Sequence, residues 1–171
     1  MHTRPLQEKD APLMLEWMHD DDVVGFLANN FKEMKLEDCI RFIRESADDV
    51  QNLHLAICDD NDEYLGTVSL KHIDPKNHNG EYAISTRKKA HGTGAAQVGT
   101  RDILKKAFDE LGLHRVYLNV IADNKRADRF YQKMGFRPEG TFKQHLYLKD
   151  CYWDLKWYGI TAEEFYEKET K

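Results

Sequence analysis

Apolar positions recur at helical spacing through the first third of the chain. Leu13, Met14, Trp17 and Met18 follow Asp10, which stands at an N-cap position, and Leu36, Ile40 and Ile43 repeat the spacing in a second helix. Between them, from Asp20-Asp21-Asp22 to Phe31, acids and aromatics mix without a period, which predicts a loop. The pattern then changes to period two. Leu53, Leu55 and Ile57 alternate with His54 and Ala56, and β-rich runs follow at 64–70 and 81–85. The stretch Asp74-Pro75-Lys76-Asn77-His78-Asn79-Gly80 is rich in turn formers and predicts a hairpin connection.

The strongest helical signal lies in the middle of the chain. Thr100, Ile103, Leu104, Ala107, Phe108 and Leu111 form one apolar stripe, and Gly112 stands where the helix should end. Val116, Leu118 and Val120 alternate in the next strand. Asp123 or Asn124 is placed to cap a further helix, with stripe Ala127, Phe130, Tyr131 and Met134 and terminator Gly135. Two aromatic-rich strands follow near 141–148 and 152–158, and Thr161-Ala162-Glu163-Glu164 opens a short terminal helix with a capping-box pattern. The predicted order is α, α, β, β, β, α, β, α, β, β, then that helix. Strand–helix–strand units require parallel pairing and hairpins require antiparallel pairing, so the sheet is mixed α/β.

Composition narrows the class. The 171 residues suit one domain spanning 1–171, with 41% hydrophobic and 32% charged residues, as in a globular protein. Lys and Arg total 25 against 30 Asp and Glu, a net charge of -5, which argues against a nucleic-acid partner. No apolar run has the length of a membrane span. The first ten residues carry Arg4, Glu8, Lys9 and Asp10 and lack the apolar core of a signal peptide, so the expected location is the cytoplasm. Cys39, Cys58 and Cys151 are scattered and odd in number, so no disulfide framework is expected. There is no HExxH, no CxxC and no His/Cys/Asp cluster with ligand spacing, so no metal is expected.

The chemistry-bearing segment is His91-Gly92-Thr93-Gly94-Ala95-Ala96, between a strand and the long helix. Glycines allow close approach of a ligand, and the first N–H groups of a helix point outward unpaired, which suits phosphate or pyrophosphate. Arg87, Lys88 and Lys89 are expected to add positive charge. No Lys-Ser/Thr follows the second glycine, so this is not a P-loop, and the third glycine of a dinucleotide fold is missing. On spacing alone, a tight strand–helix turn accounts for the motif equally well.

The segment from Glu81 to Phe136 resembles the acetyl-CoA-binding half of the Gcn5-related N-acetyltransferase (GNAT) superfamily. That family's turn reads Arg/Gln-x-x-Gly-x-Gly/Ala, and this chain has His91-x-x-Gly94-x-Ala96. Leu113 to Val120 is similar to the family's next strand. Asn124-Lys125-Arg126-Ala127 and Tyr131-Gln132-Lys133-Met134-Gly135-Phe136 are similar to its next helix. Weaker likeness covers Arg4-Pro5-Leu6 with Asp10, and 139–140 through Tyr152-Trp153-Asp154. The resembled branch holds ribosomal-protein N-terminal, spermidine and amino-sugar-nucleotide acetyltransferases. The resemblance implies a single GNAT-like domain: a mixed, mainly antiparallel sheet with a central parallel pair and helices on both faces.

It also implies acetyl-CoA as co-substrate, with residues 91–96 on the pyrophosphate. His91 departs from the family's Arg or Gln, which puts a side-chain contact there in doubt, whereas backbone donors are unaffected. Tyr131 matches the family's leaving-group acid, although a core aromatic would occupy the same stripe. Asn124 is an N-cap, a pantetheine contact, or both. Glu81 is the first candidate base, against an alternative as a solvated strand-end acid, and His54, His78 and Glu33 are weaker candidates. Backbone groups at Ile84 and its neighbours are implied as donors to the acetyl oxygen or pantetheine. The three cysteines match no nucleophile motif, so transfer is expected to be direct. The acceptor is expected to be a small primary amine, such as a polyamine or amino sugar, with a protein N-terminus as the second option. A non-catalytic acetyl-CoA sensor is the alternative of another class. Asp20, Asp21, Asp22, Glu33, Glu37 and Asp38 suit a cationic acceptor or an ordinary solvated face. Tyr147, Tyr152, Trp153, Trp157 and Tyr158 suit a stacking surface, sheet packing or a homodimer interface.

Overall fold

A computed structural model describes residues 1–27 and 30–170. Its helices are α1 (Ala11–Met18), α2 (Asp21–Val24), α3 (Leu36–Ser46), α4 (Ala95–Lys105), α5 (Lys125–Met134) and α6 (Ala162–Glu169). Its strands are β1 (His2–Pro5), β2 (Leu53–Cys58), β3 (Tyr64–Asp74), β4 (Asn79–Thr86), β5 (Arg115–Ile121), β6 (Arg137–Leu148) and β7 (Cys151–Thr161). The strands form one sheet in the order β1-β2-β3-β4-β5-β7-β6, in which β4 and β5 run parallel. Among the described residues, no helix is long and apolar enough to cross a membrane.

Two compact units make up the chain: residues 1–72 with 83–103, and residues 73–82 with 104–171. In the first unit the apolar face of α1 (Ala11, Met14, Trp17, Met18) packs with Cys39 and Ile43 of α3 and with Ala56, Cys58 and Tyr64. The Trp17 indole donates to the Tyr64 hydroxyl at 3.0 Å, and that hydroxyl also meets Thr67 Oγ1 at 2.7 Å, so neither buried polar group is left unsatisfied. In the second unit, Val116 and Leu118 of β5, Tyr158 and Ile160 of β7, Phe136 and Phe165 are all buried.

Several expectations need correction. The edge strand β1 is not legible as a strand: it is four residues long and pairs antiparallel with β2 from His2↔Cys58 to Pro5↔Leu55. Asp10 stands at the start of α1, but its carboxylate does not cap that helix. It accepts both Arg4 Nη atoms at 2.8 Å and the Gln7 N–H at 2.9 Å. The 20–31 segment is not all loop, because Asp20 accepts the Asp22 N–H and starts α2, and a 3₁₀ turn covers Phe31–Glu33; residues 28 and 29 of this segment lie outside the described residues. The middle helix ends in a π turn over Lys106–Glu110, where the Leu111 N–H reaches the Lys106 carbonyl. The extra residue per turn rotates Leu111 off the stripe and leaves it 44% exposed.

The remaining signals match the structure. Gly135 ends α5 with φ +101°, the Asn124 side chain accepts the Ala127 N–H, and Thr161 and Glu164 form a reciprocal capping box.

Gly66 in β3 carries a strong steric requirement. A Cβ there would lie 2.5 Å from the Ser85 carbonyl oxygen and 2.9 Å from Thr86 Cα, both backbone atoms of β4. Gly66→Ala therefore has to separate the two strands and should lower unfolding stability by about 3 kcal/mol. Gly140→Ala is the control, since nothing lies within 4 Å of its added Cβ. Urea midpoints for the two variants check this; equal midpoints would refute the close-approach argument.

Candidate active site

In the first unit, residues 91–94 form the turn that opens α4. Gly92 and Gly94 have φ of +79° and +93°, in the left-handed region that glycine occupies without strain. Thr93 Oγ1 donates to the Ala90 carbonyl at 2.8 Å and accepts the Ala95 N–H at 3.3 Å, so its side chain serves the helix start. The His91 N–H is taken by the Lys88 carbonyl and the Thr93 N–H by that of Ala90. Among the described residues, the N–H groups of Gly92, Gly94, Ala96 and Gln97 have no partner. These four donors at the positive end of α4 form a cradle for an anion. Of the six residues singled out by sequence, Gly92, Gly94 and Ala96 supply free donors, whereas His91, Thr93 and Ala95 spend theirs on the turn. Gln97 was missed, although the rule that a helix leaves its first four N–H groups unpaired points to it.

The neighbouring cations do not supply free charge. Arg87 forks onto Glu16 at 2.8 and 2.9 Å and also reaches Glu63. Lys88 pairs with Asp22 and Lys89 with Glu63. The anion cradle is thus mainly backbone. The acidic first third is similarly occupied: Asp20 caps α2, Asp21 pairs with Lys32, and Asp38 holds Arg41 and the Lys35 N–H. Ile84 is a half-buried residue of β4 in this unit.

The weaker base candidates have other surroundings. His54 lies edge-on to the Phe42 ring at 4.8 Å, and its Nδ1 meets Ser69 Oγ at 2.7 Å. Burial holds its pKa below the usual imidazole value, so it stays neutral. Glu33 is exposed on its 3₁₀ turn. His78 sits in the β3–β4 turn, where its carbonyl accepts the N–H groups of His114 and Arg115.

In the second unit Tyr131 lies within an aromatic cluster. Its ring centroid is 6.0 Å from Tyr82, 6.0 Å from Phe136, 5.8 Å from Tyr158 and 5.6 Å from Phe130. Burial first, then the neighbouring Tyr158, pushes its hydroxyl up to about 12, and no hydrogen bond contributes. Among the described residues that hydroxyl has no hydrogen-bond partner. It is a protonated donor waiting for an acceptor. Tyr158 instead donates to Asp128, whose Oδ1 also accepts Gln132 at 2.8 Å and Lys156 at 3.0 Å. Of the readings open for Tyr158, sheet packing holds: it is fully buried, because alternation along β7 turns it into this cluster.

The hydrogen bonds from Tyr158, Lys156 and Gln132 hold Asp128 down at about 2. A depressed carboxylate stabilises the fold above its unfolded-state pKa of about 4 and loses that contribution as pH falls through about 2. Asp128→Asn should therefore flatten the acid limb of stability against pH while leaving its shape above neutrality unchanged. Denaturant titrations across the acid range check this, and an unaltered acid limb would count against the network.

Glu81 is half-buried and faces Tyr117 across the parallel β4–β5 pair, whose register covers 79–81 with 115–117. Burial first, then the Glu81 carboxylate, raises the Tyr117 hydroxyl. Tyr117 stacks on Trp157 at 6.1 Å, and Phe142 lies 5.2 Å from the same indole. Alternation puts Glu81 on the opposite face of β4 from Tyr82, and so from the Tyr131 cluster. The structure does not bring Glu81 and Tyr131 together on one face. Asn124 is an N-cap, with Oδ1 3.1 Å from the Ala127 nitrogen, and its Nδ2 donors have no partner among the described residues.

Fold and turn together define a class, an α/β scaffold with a backbone anion cradle at a mid-chain strand–helix junction. Comparison with known proteins gives the family. The family model of the acetyltransferase (GNAT) domain matches residues 2–137. The chain belongs to this family of acetyltransferases. "Putative ribosomal N-acetyltransferase YdaF" of Bacillus subtilis (strain 168) is 28% identical over 100 residues, which are 58% of this chain and 55% of that protein. The chain thus spans little more than half of that relative's length. A spermidine N(1)-acetyltransferase of Vibrio cholerae is 28% identical over 123 residues, 66% of this chain and 71% of that one. The crystal structure of spermidine N-acetyltransferase from Vibrio cholerae in complex with CoA and spermine superposes with a TM-score of 0.87 at 20% identity, covering 96% of each chain. That likeness shows the fold.

Proposed function

We propose that this chain is an acetyl-CoA-dependent N-acetyltransferase that moves the acetyl group directly to a primary amine of a small molecule. The observation that carries the reading is the set of four unpartnered N–H groups at residues 92–97, a cradle with the chemistry of a pyrophosphate site. The free Nδ2 donors of Asn124 suit a pantetheine carbonyl, and backbone groups near Ile84 suit the acetyl oxygen.

In the proposed reaction the neutral amine attacks the thioester carbonyl and a tetrahedral oxyanion forms. The C–S bond then breaks. Glu81 takes the proton released by the amine nitrogen, and Tyr131 gives its proton to the departing sulfur. The nitrogen and the sulfur are bonded to one carbon, so with Glu81 and Tyr131 on opposite faces of β4 the Glu81 step runs through water. Relatives named for spermidine and for ribosomal N-acetyl transfer support amine chemistry of two kinds. The internal pairing of Asp20, Asp21, Asp22 and Asp38 removes much of the acidic surface that would single out a polycation.

Thiol release from acetyl-CoA, measured against polyamines, amino sugars, amino-sugar nucleotides and N-terminal peptides, tests the reading. Turnover with a small amine is expected. Turnover with peptides alone would replace the acceptor, and tight acetyl-CoA binding without turnover on the whole panel would support a sensor instead. Absence of acetyl-CoA binding would overturn the proposal.

A further inference from the structure

Three donor groups of three chemical types converge in the first unit. The His2 imidazole, the Cys58 thiol and the Asp62 carboxylate each offer one ligand atom, and all three atoms lie within 4.8 Å of one another. His2 and Cys58 are direct cross-strand partners in the β1–β2 ladder, so their side chains share a face. Cys58 also sits at the irregularity where the β2–β3 register shifts. Asp62 comes from the β2–β3 turn, held at φ +62° in the left-handed region. Non-glycine residues in that region are uncommon and gather at turns and ligand clamps.

From this geometry we infer a zinc site formed by His2, Cys58 and Asp62, with a fourth position for water, that clips edge strand β1 to β2 and the following turn. Zinc takes nitrogen, thiolate sulfur and carboxylate oxygen at about 2.0–2.3 Å in a tetrahedron, so its ligand atoms stand about 3.3–3.6 Å apart. His2 Nε2 and Asp62 Oδ1 are already 3.5 Å apart. The ligand set of neutral imidazole, thiolate and carboxylate carries two negative charges, which balance the ion. A thiolate ligand favours zinc over magnesium or calcium. The fully buried Cys58 forms the floor, and His2 and Asp62, both partly exposed, form an accessible rim.

The cations nearby do not forbid the ion. Arg4 Nε donates to Asp62 Oδ1 at 2.6 Å, and Lys9 pairs with the same carboxylate. Arg4 keeps its two-point bond to the buried Asp10 when it releases Asp62, and Lys9 is more than half exposed and can turn to water. Binding then expels the thiol proton. Around that thiol stand Arg4, which favours the thiolate, Asp10 and Asp62, which oppose it, and His2 and Lys9 at the rim.

The test uses the untagged 171-residue chain, titrated with zinc against a chromophoric chelator at neutral pH. One ion per chain is expected. His2→Ala and Asp62→Asn should each weaken binding about tenfold or more. Cobalt in place of zinc should give a thiolate-to-metal charge-transfer band that Cys58→Ala abolishes. Should the buried Cys58→Ala protein fail to fold, the partly exposed His2 variant carries the test. Absence of the cobalt–thiolate band in the wild type would overturn the proposal, and so would unchanged zinc affinity in His2→Ala.

Discussion

Tyr131→Phe should lower kcat for acetyl transfer by about a hundredfold, leave KM for acetyl-CoA little changed and not lower Tm. The Tyr131 hydroxyl does nothing for the fold. It makes no hydrogen bond among the described residues, so removing it breaks no contact. The phenyl ring fits the same cluster beside Tyr82, Phe136 and Tyr158. With its pKa at about 12 the phenol keeps its proton at every working pH, so the rate deficit should not vary with pH through the neutral range. Steady-state kinetics across pH, with a melting curve of each protein, check it. A fully active Phe variant with an unchanged pH profile would remove Tyr131 from the mechanism.

The second large effect concerns folding. Arg87→Met should cost about 2–3 kcal/mol, between the values for exposed and buried ion pairs, and lower Tm by about 5–10 °C. The Arg87 side chain is 8% exposed and serves three partners: both Glu16 oxygens, Glu63, and the Tyr64 carbonyl at 3.0 Å. Glu16 and Glu63 retain access to water and Glu63 keeps Lys89, which holds the cost below that of a fully buried pair. Arg87→Lys should recover part of the loss, because one ammonium cannot reproduce the fork. The Arg87 carbonyl also accepts the Ala90 N–H just before the anion cradle, so acetyl-CoA affinity should fall together with stability. Urea unfolding of both variants tests the ranking, and equal stability of wild type and Arg87→Met would show the fork to be superficial.

How much of this was legible in the sequence depends on the reach of each interaction. The apolar stripe of α4 and the π turn up to Phe108, the Asn124 cap, the Gly135 stop and the Thr161–Glu164 capping box involve residues at most a few positions apart. A helix makes its contacts at i+3 and i+4, so such signals lie side by side along the chain. The anion cradle was legible for the same reason: glycine torsions and unpaired first-turn N–H groups are local properties. Tyr131 was found by resemblance, since its spacing alone equally describes a core aromatic.

The rest needed partners distant in sequence. The resemblance marks Tyr131 and Glu81 as candidates, but the pairing of β4 with β5 and the seating of α5 place them on opposite faces of β4. Arg87 looks like a free cation beside an anion site until Glu16 and Glu63 arrive from elsewhere in the chain. Four residues do not mark β1 as a strand without the β2 edge to pair with. His2, Cys58 and Asp62 show no ligand spacing because the sheet, not the sequence, makes them neighbours. By itself the sequence determined the local geometry of helices, caps and the phosphate-type turn, through contacts within one or two turns of chain. Only the tertiary structure decided which charges are neutralised, which face each candidate occupies and which side chains converge, because burial and cross-strand register set those and neither is local.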